Sequence, residues 1–97
     1  MAIVRVFRAR VKPGRRDDWQ RMVRELSIPA LSSAPGLLAY YPGRQLVDGD
    51  EFAMVSIWQD LDAVRAYAGE DWQLPILDGD EADVVDEVDV HHYEVFG

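Results

Sequence analysis

The spacing of apolar positions changes repeatedly along this chain, and each change marks a structural element. Residues 2–11, AIVRVFRARV, alternate and are rich in β-branched and aromatic side chains, which predicts a strand. Ile3, Phe7, Ala9 and Val11 share one face, on which Arg5 is the polar exception; Val4, Val6, Arg8 and Arg10 share the other. Lys12-Pro13-Gly14 stops the strand. The period then becomes helical: Trp19, Met22, Val23 and Leu26 fall at i, i+3, i+4 and i+7, an inward apolar stripe. Asp17 and Asp18 occupy the first turn, where the helix dipole favours carboxylates. Pro29 is expected to break or kink this helix, with residues 30–33 adding a further turn before the loop Ser32-Ser33-Ala34-Pro35-Gly36.

Residues 37–41 open a second strand, which Pro42-Gly43 interrupts before residues 44–47. A proline donates no ladder hydrogen bond, so this strand belongs at a sheet edge or a bulge. Asp48-Gly49 predicts a tight hairpin into a third strand, residues 51–59. There Phe52, Met54, Ser56 and Trp58 share one face and Ala53, Val55 and Ile57 the other, the pattern of a central strand covered on both sides. Asp60 is the expected N-cap of a helix over Leu61–Ala68, with Leu61, Val64 and Ala68 inward and Gly69 ending it. Residues 70–77 predict a short helical turn, and residues 78–83, DGDEAD, a solvated acidic loop. A final strand over 84–96, starting near Asp86, places Val88, Val90 and His92 on one face and His91, Tyr93 and Val95 on the other.

The resulting order, β-α-β-β-α-β, is the split βαβ arrangement: an α+β, ferredoxin-like fold with a four-stranded antiparallel sheet and helices on one face. The 97 residues are expected to form one domain over 1–97. The second and fourth strands would be the edges, with the first between the third and fourth. The sheet face without helices is too apolar for water, so two copies should pack sheet to sheet as a homodimer.

Composition narrows the chemistry. With 48% hydrophobic residues the chain can build a core without staples, and with no cysteine it has no disulfide, thiolate nucleophile or cysteine-ligated metal. The net charge of −8 is unevenly spread: residues 1–24 hold eight bases and two acids, residues 48–97 fifteen acids and one base. A basic head suggests phosphate binding, but an acidic protein repels nucleic acid at long range. Pairing of the basic first strand (Arg5, Arg8, Arg10) with the acidic last one (Asp86, Glu87, Asp89, Glu94) explains the asymmetry instead. Arginines interrupt the apolar N-terminal run, which argues against a signal peptide or membrane anchor and for a cytoplasmic protein.

Phe7 and Val11-Lys12-Pro13-Gly14, then Pro35-Gly36-Leu37-Leu38 and Tyr40, then Val55-Ser56-Ile57-Trp58, then Ala66, Tyr67 and Ala68-Gly69-Glu70-Asp71-Trp72, and finally His91-His92-Tyr93-Glu94-Val95 form an ordered set over essentially the whole chain. The set resembles antibiotic-biosynthesis-monooxygenase-like domains. The resemblance implies a dimeric α/β barrel with a small-molecule pocket between helices and sheet. It also implies, for some members, oxidation of polycyclic phenols or quinols by molecular oxygen without metal or flavin. Other members degrade haem, and for those the resemblance implies an asparagine, a helical tryptophan and an axial histidine. This chain has Phe7, Tyr67 and Leu77 at those positions, which disfavours haem.

Cofactor-free oxygenation needs a base to deprotonate a phenol and an apolar aromatic pocket to exclude water. His92 is the candidate base, because imidazole titrates near neutral pH and its face continues from Val88 and Val90. The bland reading of His92 is a packed histidine satisfied by a neighbouring carboxylate or carbonyl. Tyr40, Trp58, Tyr67 and Trp72 are the candidate substrate-binding wall: Tyr40 or Tyr67 to orient a hydroxyl, Trp72 as a pocket or lid residue, and Trp58 as either pocket or plain core. Trp19 and Met22 read as core, and His91 as a surface or interface residue. No cofactor is expected. His92 and Glu94 lack the remaining ligands of a metal site, and the loop of Asp78, Asp80, Glu81 and Asp83 lacks a calcium loop's spacing. The alternative function is a non-catalytic small-molecule-binding or structural dimer of the same fold.

Overall fold

The structure, a computed structural model, describes residues 1–77 and 79–97. Strands β1 (Ile3–Val11), β2 (Leu37–Arg44), β3 (Glu51–Trp58) and β4 (Val85–Glu94) form one antiparallel sheet in the order β2-β3-β1-β4. Helices α1 (Arg16–Met22), α2 (Ile28–Ser32), α3 (Leu61–Ala68) and α4 (Glu81–Val84) complete the α+β ferredoxin-like fold. The strand order, the edge position of β2 and the central position of β1 and β3 are those expected from the hydrophobic pattern. Alternation in β1 sends Ile3, Arg5, Ala9 and Val11 into the buried layer, while Arg8 on the opposite face is exposed. Two packed clusters result. Ala9, Val11, Trp19, Phe52 and Val84 pack at one end, and Ile3, Leu31, Trp58 and Val64 at the other.

Several local expectations are corrected. Pro29 does not break the helix: a π-helical stretch, Val23–Ser27, joins α1 to α2, and Pro29 sits in the first turn of α2. Pro29 has no N–H for the carbonyl four residues back, and the wider winding before it carries the chain past that missing bond. The same winding advances less per residue, which turns Leu26 off the apolar stripe to 43% exposure. Pro42-Gly43 does not interrupt β2, because on an edge strand the missing donor faces away from the ladder. The strand instead ends at Arg44, and a wider loop follows, closed by Gln45 N–H to the Glu51 carbonyl (2.9 Å). Leu46 and Val47 project from that loop, 99% and 95% exposed. Residues 70–74 form turns without a helix.

Asp60 caps α3 as expected, its carboxylate accepting from the Ala63 N–H at 2.8 Å, and Gly69 ends the helix at φ +86°. The acidic stretch is not uniformly solvated: Glu81 begins α4 and is 2% exposed, while Asp80 and Asp83 are exposed; Asp78 lies outside the described residues. The charge pairing is also redistributed. β1 does lie beside the acidic β4, with Arg8 opposite Asp89 and Arg10 opposite Glu87. The close ion pairs, however, run to the β3 side: Arg8 to Glu51 (3.4 Å), Arg10 to Asp48 (2.8 Å) and Arg16 to Asp50 (3.0 Å). Arg5 meets His92, not an acid, because its position in the alternation turns it inward. Among the described residues, no helix is long and apolar enough to cross a membrane.

Candidate functional site

A cavity of about 370 Å³ opens between the helices and the inner face of the sheet. β1 gives it Arg5 and Phe7, β3 gives Phe52, Met54 and Ser56, and the helical layer gives Trp19, Tyr67 and Glu81. The rings form a continuous wall: Phe7 and Trp19 lie 6.3 Å apart at 5°, and Trp19 and Phe52 6.5 Å apart at 53°. Arrangements of this kind enclose a flat apolar ligand and leave orientation to a few polar groups.

Arg5 is the centre of the polar part. It is 4% exposed, and its Nη1 donates to the Trp72 carbonyl (3.2 Å) and to His92 Nε2 (3.1 Å). Its guanidinium carbon stands 5.9 Å from the Tyr67 ring centroid, within cation–π reach. Burial pushes the Arg5 pKa down from its ordinary value, opposed by Tyr67. His92 is half-buried, with the Trp72 ring set edge-on at 4.9 Å. An arginine can only donate, so Nε2 of His92 is the acceptor and the neutral ring carries its proton on Nδ1. Burial, with the nearby Arg5 charge and His91, pushes the His92 pKa down to about 4.

The five residues singled out from the sequence separate. Tyr67 lines the cavity. His92 and Trp72 sit behind Arg5 and touch it, so they meet the cavity through that side chain. Trp58 is 0% exposed, donates to Ser56 Oγ (2.9 Å) and packs against Tyr67 at 5.0 Å, which makes it the support beneath the wall. Tyr40 pairs in register with Ser56 on the edge strand and is not part of the cavity lining.

Sequence reasoning missed Arg5 and Glu81. For Arg5 the signal was present, since it is the one polar residue on the inward face of β1. For Glu81 there was none: four acids within residues 78–83 look alike, and only the docking of α4 against α1 decides which one turns inward.

The chain matches the family model described as antibiotic biosynthesis monooxygenase over residues 2–72. Among curated proteins there is no significant match. Solved structures resemble it closely in fold. PA3566 from Pseudomonas aeruginosa is 21% identical with a TM-score of 0.78, covering 99% of this chain and 95% of that one. Rv0793 from Mycobacterium tuberculosis is 13% identical with a TM-score of 0.78, covering 100% and 97%. SnoaB from Streptomyces nogalater, described as a cofactor-independent oxygenase, is 12% identical with a TM-score of 0.77, covering 99% and 94%.

The depressed His92 pKa fixes a sign for acid stability. The unfolded chain takes up a proton near 6.5 and the folded chain only near 4, so the His92 contribution is complete above pH 6.5 and is lost as pH falls toward 4. Urea unfolding of the wild type and His92→Gln across pH 4–7 should show the wild type losing more stability on acidification. Parallel curves, or an NMR titration of His92 centred near 6.5, would contradict the buried contact with Arg5.

Proposed function

The chain belongs to the antibiotic biosynthesis monooxygenase family, and from that premise we propose that it oxidises an aromatic or quinol-type small molecule with molecular oxygen, without metal or flavin. The observation that carries this is the aromatic wall of Phe7, Trp19, Phe52 and Tyr67 around a cavity of about 370 Å³ between helices and sheet. The description of SnoaB as a cofactor-independent oxygenase supports the same chemistry on this fold.

The substrate loses a proton to become an electron-rich anion, which passes one electron to oxygen. The resulting radical and superoxide combine into a peroxide, and loss of water leaves a carbonyl. A ring CH₂ and O₂ thus become C=O and H₂O. Glu81, a buried carboxylate on the cavity wall, is the proton acceptor in this scheme. His92 acts through Arg5: a neutral ring with its Nε2 facing a guanidinium is a weak base but a good anchor. Tyr67 orients a substrate oxygen, Trp58 and Trp72 support the wall, and the apolar rings keep water from the anion.

Oxygen-electrode measurements with anthrone- and quinol-type substrates test the scheme. Uptake of one O₂ per substrate is expected, falling about 100-fold or more in Glu81→Gln. The occupied Nε2 of His92 favours a second reading, a non-catalytic binding protein. Aromatic ligands that bind with no oxygen uptake across the panel would establish that reading in place of the first.

The outer face of the sheet is assigned to a second copy of this chain. Val4, Val6, Val55 and Ile57 are only partly covered there, and Tyr41 and Tyr93 are 63% and 57% exposed. Sedimentation velocity should give a dimer that dissociates in Val55→Glu. An 11.0 kDa particle at micromolar concentration would contradict the assignment.

A further inference from the structure

The hydrogen bonding of Arg5 is half complete. Both of its bonds come from Nη1, to the Trp72 carbonyl and to His92 Nε2. Among the described residues, Nη2 and Nε have no acceptor, and no carboxylate lies within ion-pair distance of the guanidinium. A guanidinium withdrawn from water without a counter-ion is unfavourable, and an anion placed against it removes most of that cost. Arg5 lines the cavity, so this is the space from which such an anion would approach.

The surroundings fit that role. His92 and the Trp72 carbonyl hold Nη1 and fix the plane of the fork without supplying negative charge. A guanidinium edge presenting Nη2 and Nε matches the two oxygens of a carboxylate, or one phenolate or enolate oxygen. Phe7 and Trp19, on the same cavity wall, are nearly parallel and suit a flat ring system. We propose that the cavity takes its ligand as a planar aromatic oxyanion received at Nη2 and Nε of Arg5, with His92 and the Trp72 carbonyl as positioning groups. The proposal rests on the reading of the cavity as a small-molecule site, and it names the ligand class: an aromatic ring system carrying a carboxylate, phenolate or enolate. In the oxygenation scheme, Arg5 would stabilise the anion before electron transfer.

Methyl NMR offers a direct test, because the chain has three methionines and Met54 lines the cavity whereas Met22 does not. Titration with 2-naphthoate and with its neutral isostere 2-naphthamide should move the Met54 methyl signal. Naphthoate should bind about tenfold or more tightly at pH 7. Arg5→Met should abolish the preference, and Arg5→Lys, which keeps the charge without the fork, should retain part of it. Binding of 2-naphthol that tightens as the phenol ionises would extend the class to phenolates; a flat profile beside an intact naphthoate preference would place it with carboxylates. Equal affinities for naphthoate and naphthamide in the wild type, or a preference that survives Arg5→Met, would overturn the proposal while leaving the cavity as a ligand site. A Met54 signal unmoved by either compound would overturn both.

Discussion

A guanidinium set on the inward face of a central strand constrains everything around it. Arg5 is always a donor and nearly always charged, so its burial requires acceptors brought from elsewhere in the chain. β4 supplies one by pairing antiparallel to β1 in the register that sets His92 opposite Arg5. The turns after α3 supply another, the Trp72 carbonyl, and bring the Trp72 ring against His92. These contacts tie the last strand and the segment after α3 to the middle of the sheet. They also leave part of the guanidinium facing the cavity.

That constraint makes the two faces of the sheet chemically different. The inner face holds the aromatic wall and the polar group that can orient a ligand. The outer face holds aliphatic side chains and the β1 arginines Arg8 and Arg10, whose ion pairs run to Asp48 and Glu51 at the β2–β3 connection. The His92 imidazole belongs to the inner layer and stays neutral down to about pH 4, so it adds no positive charge beside Arg5 at neutral pH.

The fold was legible because period-2 alternation in β1 and β3, the helical spacing from Trp19, and Asp60 before Leu61–Ala68 are local signals that agree with one topology. The details that escaped are those decided by context. Pro29 reads as a break or kink until the π winding before it is seen. Pro42-Gly43 reads as an interruption of a strand whose edge position was itself legible, although on that edge the pairing runs on through both residues. At the site, alternation placed His92 on the inward face correctly. Its chemical character depends on Arg5, a contact across strands that no local pattern encodes. Glu81 was illegible for a related reason: its burial comes from tertiary docking of a four-residue helix, and its neighbours in sequence carry the same charge.

The central claim is that Arg5 and His92 form one buried unit across β1 and β4. A double-mutant cycle on urea unfolding with Arg5→Met, His92→Phe and the double variant at pH 7 tests it most directly. A favourable coupling of about 0.5–3 kcal/mol is expected for groups in direct contact. Strict additivity of the two single substitutions would contradict the account.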